Sequence, residues 1–261
     1  MRELKSKDSI SISYDKLGKG PGLVIVGGSL ADHHVYHPLA EELSKNFTVY
    51  NYDRRNRGMS GVSKNHNVDT ELEDLKMLIS LDSIPKVVYG HSAGAALAIR
   101  AAEQGMDIHK LILADLPFSL LDENRSHSAG NHEAEYQAIK ELIESGDKEG
   151  AVRFFLKDFG MSKEELDGFI LSDGGQAAIE ISPTLLIDYN ILGNGLTPRD
   201  LLKKIKVPTM ILTSDYGLAS AQDAAKYLLH CIIHRLDAPT HMAAPSEIAQ
   251  KIMDFINAQH E

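Results

Sequence analysis

Tryptophan is absent from the 261-residue chain, and Cys231 is its only cysteine. A single cysteine excludes an internal disulfide framework, so the fold has to be held together by its apolar core. Few cysteines are typical of proteins that stay in a reducing compartment. We therefore expect a cytoplasmic protein.

The chain also lacks long apolar runs and basic patches. No stretch approaches the roughly 18 apolar residues of a membrane-spanning helix, and residues 1–11 carry charges where a signal peptide would be apolar. Lysine and arginine are dispersed through a chain of formal net charge -10, whereas binding to nucleic acid needs a basic face. We predict no membrane segment and no nucleic acid partner.

Short apolar runs alternate with amphipathic segments in two blocks of the sequence. The first block predicts strands at 9–14, 22–26, 47–52, 86–89 and 110–114, and helices at 35–44, 68–81 and 93–103. The second block predicts strands at 207–213 and 231–236, and helices at 220–229 and 245–258. This alternation predicts an α/β fold with a mostly parallel central sheet and helices on both of its faces.

The stretch between the two blocks has a different pattern. Its apolar residues recur at helical spacing, and glycines interrupt the runs. An insertion after the carboxyl end of a strand lies where open α/β sheets bind ligands. We predict a core domain made of residues 1–116 and 199–261, and an inserted helical cap of three or four short helices at residues 117–198.

The sequence Gly90-His91-Ser92-Ala93-Gly94 lies between a predicted strand and a predicted helix. This is the G-x-S-x-G pattern of a nucleophile elbow, in which a sharp turn holds a serine hydroxyl clear of the sheet. The strained serine needs neighbours without bulk, which the two glycines provide. We therefore predict that Ser92 is a nucleophile at a helix N-terminus, where N–H groups favour negative charge. His91 is interpreted as a packing residue beside the cleft.

A serine nucleophile needs a base, and histidine is the usual one. Of the twelve histidines, His241 is placed best, because it follows the last predicted strand and precedes the final helix. Serine first and histidine last is the order used by the α/β-hydrolase architecture. His241 is therefore the predicted base.

With these residues the chain resembles the α/β-hydrolase superfamily, in particular its small members with a helical cap, over nearly its whole length. The sequence YDRRNRGMSG, residues 52–61, is similar to the family's D-x-R-G-x-G-x-S turn, with Asn56 in place of the first glycine. The sequence KVPTMILTSD, residues 206–215, is similar to the family's penultimate strand. The resemblance implies an α/β-hydrolase fold and a catalytic triad that works through an acyl-enzyme.

The family usually has His-Gly after its third strand, and the residue that follows donates an N–H group to the oxyanion. This chain has Gly27-Gly28-Ser29 at that point, which keeps the backbone freedom of the motif. The resemblance therefore implies an oxyanion hole formed by the N–H groups of Ser29 and Ala93.

Two aspartates are candidates for the acid of the triad. Asp215 follows the penultimate strand, 26 residues before His241, near the commonest acid position in the family. Asp115 ends the strand after the elbow helix, 23 residues beyond Ser92, at the position that some members use instead. Either could hold the imidazole in its reactive tautomer. Asp215 is slightly preferred, and Asp115 is the alternative.

Other features argue against related chemistries. Family members that open epoxides or remove halides attack with an aspartate at the elbow, and the dehalogenases bind halide through tryptophan, which this chain lacks. The glycine run at residues 18–22 precedes a strand, so it is interpreted as a hairpin turn and not as a dinucleotide-binding loop. His33 and His37 are four residues apart, but no carboxylate or cysteine completes a metal signature. We expect no metal and no cofactor.

Together these patterns predict a serine hydrolase that cleaves a small ester or thioester, with a small-molecule acyl substrate as its partner. Hydrolysis of a carbon–carbon bond and cofactor-free peroxidation are alternatives within the same fold. A further alternative is a non-catalytic protein that captures a small molecule with the retained serine and histidine, because a fold alone does not settle function.

Overall fold

The computed structural model describes residues 1–81, 86–120, 129–157, 159–215, 217–237 and 243–258. The strands are β1 (Arg2–Lys5), β2 (Ser11–Leu17), β3 (Gly22–Val26), β4 (Thr48–Tyr52), β5 (Lys86–His91), β6 (Lys110–Ala114), β7 (Thr209–Thr213) and β8 (Cys231–Arg235). The helices are α1 (His33–Leu43), α2 (Val68–Ile79), α3 (Ala93–Glu103), α4 (Ala129–Glu144), α5 (Lys148–Leu156), α6 (Lys163–Leu171), α7 (Asp173–Ile181), α8 (Leu185–Leu192), α9 (Arg199–Leu202), α10 (Leu218–Ala225) and α11 (Pro245–Asn257), with a 3-10 turn at Ser182–Thr184. Within these ranges, no helix is both long enough and apolar enough to cross a bilayer.

In the described part of the chain, eight strands form one sheet in the order β1-β2-β4-β3-β5-β6-β7-β8. Strands β3 to β8 run parallel to one another, whereas β1 and β2 are antiparallel to their neighbours. Every residue of β3, β5 and β7 is buried, as expected for parallel strands that are covered on both faces. The predicted α/β fold with a mostly parallel sheet is confirmed.

Helices cover both faces of this sheet. On one face Leu75 of α2 and Leu97 of α3 lie in an apolar cluster with Val24 of β3. On the other face Ile252 of α11 lies in a second cluster with Ile25, because successive residues of a strand point to opposite faces. The continuous apolar run of β3 therefore supplies both layers of the core.

Most predicted elements are present, with ends that differ by a few residues. The bounds of α3 and β6 are those that the sequence predicts, whereas α10 ends at Ala225 instead of residue 229. The sequence does not predict β1, in which three of the four residues are exposed. An exposed edge strand needs no apolar run, so its sequence carries little signal.

The glycine run at residues 18–22 does not form the predicted hairpin turn. Strands β2 and β3 are not neighbours, because β4 lies between them and pairs with both. Gly18 has a φ of +71°, and a Cβ atom there would lie 2.2 Å from the carbonyl oxygen of Ser44. The run therefore needs glycine so that the chain can pass close to the end of α1 on its way across β4.

Helices α4 to α8 follow β6 and precede β7. Ile139 of α4, Ala151 of α5 and Leu185 of α8 belong to an apolar cluster that is separate from the two clusters on the sheet. The sequence predicts three or four short helices at residues 117–198. The described part of this stretch contains five. The division into a core and a cap at residues 117–198 stays a prediction.

We expect Gly94→Ala to destabilise the protein by about 3 kcal/mol or more, because the new Cβ would lie 2.1 Å from the carbonyl oxygen of Val26. Gly168→Ala is the matched control: Gly168 is also helical, and a Cβ atom there meets nothing within 4 Å. That control should gain about 0.5–1 kcal/mol. Equal urea midpoints for Gly94→Ala and the wild type would contradict the close packing of α3 on β3.

Candidate active site

Strand β5 runs directly into α3 through Ser92. The backbone of Ser92 has a φ of 54° and a ψ of -122°, a conformation that is strained for a residue with a side chain. The N–H group of Ser92 donates to the carbonyl oxygen of Ala114 at 2.9 Å, and its side chain forms no capping bond to α3. The hydroxyl group is therefore not used to close the helix that begins beside it.

The turn at Ser92 requires glycine on both sides. A Cβ atom on Gly90 would lie 2.6 Å from the carbonyl oxygen of Gly94, and one on Gly94 would lie 2.1 Å from that of Val26. Backbone atoms cannot give way as a flexible side chain can, so either methyl group would force α3 away from the sheet.

The loop after β3 also approaches the elbow closely. A Cβ atom on Gly28 would lie 3.0 Å from the carbonyl oxygen of His91. The N–H group of Gly28 donates to Tyr36 Oη at 2.8 Å, and its carbonyl oxygen accepts from Arg57 Nη1 at 2.6 Å. Both polar groups of Gly28 are thus held next to Ser29, the predicted oxyanion donor.

A cavity of about 280 Å³ opens beside the elbow. Ser92, Ala93, Ser29 and Asp115 all line it. The aromatic residues of its wall are Phe118, Phe154, Phe155, Phe159 and Tyr189. The predicted nucleophile and both predicted oxyanion donors therefore share one cavity with one of the two candidate acids.

Asp115 leaves the sheet beside the elbow. The parallel pairing of β5 with β6 sets His91 opposite Ala114, so Ser92 and Asp115 emerge side by side from the ends of these strands. Asp115 is only 6% exposed, and its Oδ1 accepts the N–H group of Ser214 at 3.2 Å.

Asp215 lies in a different environment. Its side chain is 69% exposed and forms an ion pair with Arg235, whose side chain is also exposed. Asp215 is not among the described residues that line the cavity. Of the two candidate acids, Asp115 is the one that is buried against the elbow.

Buried polar groups lie between Asp115 and the loop after β3. Tyr36 Oη lies 2.8 Å from His91 Nδ1, and His91 Nε2 lies 4.0 Å from Asp115 Oδ2. Burial raises the pKa of Tyr36 to about 12, so the phenol keeps its proton at neutral pH. Oη accepts from the N–H group of Gly28 and can donate its own proton to His91 Nδ1, an arrangement in which the ring proton of His91 is on Nε2 and faces Asp115. His91 therefore does more than pack.

We expect His91 to be the neutral Nε2–H tautomer in the wild type, as read from the imidazole nitrogen shifts in a long-range ¹⁵N–¹H spectrum. Tyr36→Phe removes the donor to Nδ1 and leaves the buried N–H group of Gly28 without its acceptor, so it should cost about 1–3 kcal/mol of stability. The imidazole signals of His91 are identified by their absence from the spectrum of the His91→Gln variant. A protonated Nδ1 in the wild type would contradict donation from the Tyr36 hydroxyl group to His91 Nδ1.

Two arginines of the 52–61 turn are buried beneath the loop after β3. The side chains of Arg54 and Arg57 are 1% and 0% exposed. Arg54 pairs with Glu71 at 3.0 Å, and Arg57 Nη2 lies 2.8 and 2.9 Å from the two carboxylate oxygens of Asp188 on α8. No pattern in the sequence assigns a role to these residues. Three arginines within four positions are the only signal, and that signal does not identify their partners.

Arg54 and Arg57 share the carboxylate of Asp188, because Arg54 Nη1 also lies 2.8 Å from its Oδ1. Burial and the charge of Arg54 lower the pKa of Arg57, while Asp188 acts in the opposite direction. Burial favours the neutral form of Glu71, but Arg54 and His66 hold its pKa well below the usual range of a carboxyl group. Two guanidinium groups therefore face two carboxylates in a region without solvent.

His33 and His37 do not share a site. His33 is buried, and its Nδ1 lies 2.9 Å from Oδ1 of Asp53. The side chain of His37 is 44% exposed and lies 3.4 Å from Glu41. Because the two imidazoles have separate partners, they do not form the pair of ligands that their spacing allows.

His241, the predicted base, lies outside the described residues, between β8 and α11 in the sequence. Its role stays a prediction from the sequence.

A sequence model of the alpha/beta hydrolase family matches residues 23–251. Because this match covers most of the chain, the protein belongs to the alpha/beta hydrolase family. The crystal structure of an alpha/beta hydrolase from Sphaerobacter thermophilus is similar over 98% of this chain and 100% of that one, with a TM-score of 0.87 and 28% sequence identity.

Two curated relatives match over shorter stretches. The uncharacterized hydrolase YraK of Bacillus subtilis is 28% identical over 159 residues, which are 54% of this chain and 58% of that protein. The N-formylmaleamate deformylase of Pseudomonas putida is 36% identical over 108 residues, which are 39% of this chain and 40% of that protein. The chain thus spans about half the length of the curated relatives that it matches.

Proposed function

We propose that this protein is a serine hydrolase that cleaves a small ester or thioester through an acyl-enzyme. The observation that carries the proposal is the strained backbone that holds Ser92 at the start of α3, in a cavity with Asp115 and Ser29. Strain of this kind persists where the surrounding structure enforces it, and it clusters at functional sites. Membership of the alpha/beta hydrolase family supports an enzymatic role.

In the proposed reaction, Ser92 Oγ attacks the carbonyl carbon of the ester while His241 accepts the hydroxyl proton. The carbonyl oxygen becomes the oxyanion of a tetrahedral intermediate. His241 then donates its proton to the departing alcohol or thiol as the bond to that group breaks, which leaves the acyl group on Ser92. A water molecule, deprotonated by His241, attacks the acyl-enzyme in the same way, and the carboxylic acid is released as Ser92 regains its proton.

The N–H groups of Ser29 and Ala93 are the proposed donors to the oxyanion. Both residues line the cavity beside Ser92, and Ala93 is the first residue of α3. The positive end of the helix dipole favours negative charge at this point. One such donor contributes about 3 kcal/mol of transition-state stabilisation.

We assign the acid of the triad to Asp115 in preference to Asp215. Asp115 is buried and lines the cavity, whereas Asp215 is exposed and paired with Arg235. A carboxylate shielded from water orients an imidazole and stabilises the imidazolium more strongly than a solvated one. The sequence slightly favours Asp215, because it lies near the commonest position of the acid in the family.

The cavity favours a small acyl group. Its volume of about 280 Å³ is near the lower end of the range for small-molecule sites, which begins at about 300 Å³. Its aromatic wall suits an apolar acyl chain or ring. The relative from Pseudomonas putida is named for a substrate that carries a formyl group, which supports a small acyl group here as well.

We expect a fluorophosphonate probe to label the wild type covalently at Ser92, with loss of p-nitrophenyl acetate hydrolysis. Ser92→Ala should neither be labelled nor turn over, because the probe phosphorus needs an activated serine. Labelling is measured by mass spectrometry of the intact protein and of the peptide that contains Ser92. A folded wild type that stays unlabelled under conditions that label a reference esterase would favour the non-catalytic binding protein.

Asp115→Asn should lower kcat/KM for p-nitrophenyl acetate by roughly 10³-fold or more, because an amide no longer holds the imidazole in the reactive tautomer. The matched control, Asp215→Asn, should stay within about threefold of the wild type, since an exposed ion pair contributes little. Thermal midpoints establish that both variants fold. A larger loss in Asp215→Asn than in Asp115→Asn would move the acid to Asp215.

A further inference from the structure

The peptide between Gly28 and Ser29 has its carbonyl group and its N–H group in different environments. Its carbonyl oxygen belongs to Gly28 and accepts from Arg57 Nη1 at 2.6 Å. Its N–H group belongs to Ser29, which lines the cavity with Ser92. In a trans peptide the C=O and N–H bonds point in opposite directions. A donor that holds the carbonyl group therefore also sets the direction of the Ser29 N–H group.

Arg57 is itself held in one orientation. Its Nη2 donates to both carboxylate oxygens of Asp188, at 2.8 and 2.9 Å, while Nη1 points to Gly28. The side chains of Arg57 and Asp188 are 0% and 2% exposed. The planar guanidinium group thus joins the backbone after β3 to α8 through direct hydrogen bonds.

Stability alone does not account for this arrangement. Two buried charges lose hydration, and an apolar pair of similar size is often as stable or more so. By contrast, a charged donor to a carbonyl oxygen gives a short, directional hydrogen bond that fixes a backbone group. The bond from Arg57 to Gly28 therefore restrains the orientation of the peptide.

The N–H group of Gly28 is held from the other side by Tyr36 Oη at 2.8 Å. Arg54 approaches the preceding carbonyl oxygen, that of Gly27, only at 3.4 Å. Of the described donors around this loop, Arg57 makes the short contact with the peptide that carries the proposed oxyanion donor.

We propose that Arg57, held by Asp188 of α8, is a positioning residue for the oxyanion hole, because it aligns the Gly28–Ser29 peptide so that the Ser29 N–H group points at the developing oxyanion. This inference rests on the proposed serine hydrolase function. It also gives α8, in the region predicted as a cap, a part in the chemistry at Ser92 through one buried carboxylate.

The test is the ionisation of a tetrahedral adduct in the folded protein. A trifluoromethyl ketone with a ¹³C-labelled carbonyl carbon forms a hemiketal when Ser92 Oγ bonds to that carbon, its C=O π electrons move to oxygen, and the serine proton passes to the base. The ¹³C shift followed against pH gives the pKa of the hemiketal hydroxyl group. Donors that stabilise the oxyanion lower this pKa.

Arg57→Lys should raise the hemiketal pKa by about one unit or more, because one ammonium group cannot hold both Gly28 and Asp188 in the same geometry. It should lower kcat about 10–100-fold with KM within about threefold of the wild type. The double variant Arg57→Met/Asp188→Asn also removes the donor to Gly28, while the amide oxygen of the asparagine keeps an acceptor for Arg54 Nη1, which lies 2.8 Å from Asp188 Oδ1 in the wild type. It should show the same rise in pKa.

The matched control is Arg55→Lys in the same turn. Arg55 is equally buried, but its guanidinium group donates to Asp74, Asp8 and the carbonyl oxygen of Asn65, not to the loop after β3. This variant should lose stability and keep the hemiketal pKa of the wild type within about 0.3 units.

An unchanged hemiketal pKa in both folded Arg57 variants overturns the proposal. A rise of equal size in Arg55→Lys also overturns it, since the effect would then come from the turn as a whole. If the ketone forms no adduct with Ser92 of the wild type, the serine hydrolase function fails and this inference fails with it. If the adduct forms but its hemiketal pKa is the same in the wild type and the Arg57 variants, only the proposed role of Arg57 is contradicted.

Discussion

The elbow at Ser92 depends on how closely three stretches of main chain approach one another. Strand β3 lies so near the start of α3 that a Cβ atom on Gly94 would fall 2.1 Å from the carbonyl oxygen of Val26. The loop after β3 contacts the elbow as well, with Gly28 against the backbone of His91. Because the first contact has no room for a side chain and the second is tight, backbone packing sets the place of the serine and of the loop beside it. The other groups of the site are arranged around this contact.

Buried side chains then hold the polar groups of that backbone. Tyr36 accepts the N–H group of Gly28, and Arg57 donates to its carbonyl oxygen. Arg57 is bound in turn by Asp188 of α8, and Tyr36 is bound by His91 of β5. The loop after β3 is thereby tied both to the sheet and to a helix from the region between β6 and β7. Dipoles and charges that are fixed in this way need not reorganise when a charge develops beside them.

The features that could be predicted from the sequence are those set by residues close together in the chain. The apolar run of β6 and the small residues of α3 predict the observed bounds of both elements, and the G-x-S-x-G pattern predicts the strained turn between strand and helix. Strand β1 carries no apolar run because it lies at an exposed edge. The hairpin expected at residues 18–22 is absent because β4 lies between β2 and β3, and strand order depends on pairing between distant segments.

The sequence by itself determined the α/β architecture and the serine at its elbow, because hydrophobic periodicity and the steric needs of one tight turn are local properties. Only the tertiary structure decided between Asp115 and Asp215 as neighbours of that serine. Both follow parallel strands, but one is 6% exposed beside His91 and the other lies in solvent. It also decided that Arg57 meets Asp188, 131 residues away. The burial and the partners of a charge depend on segments that meet only in the folded chain.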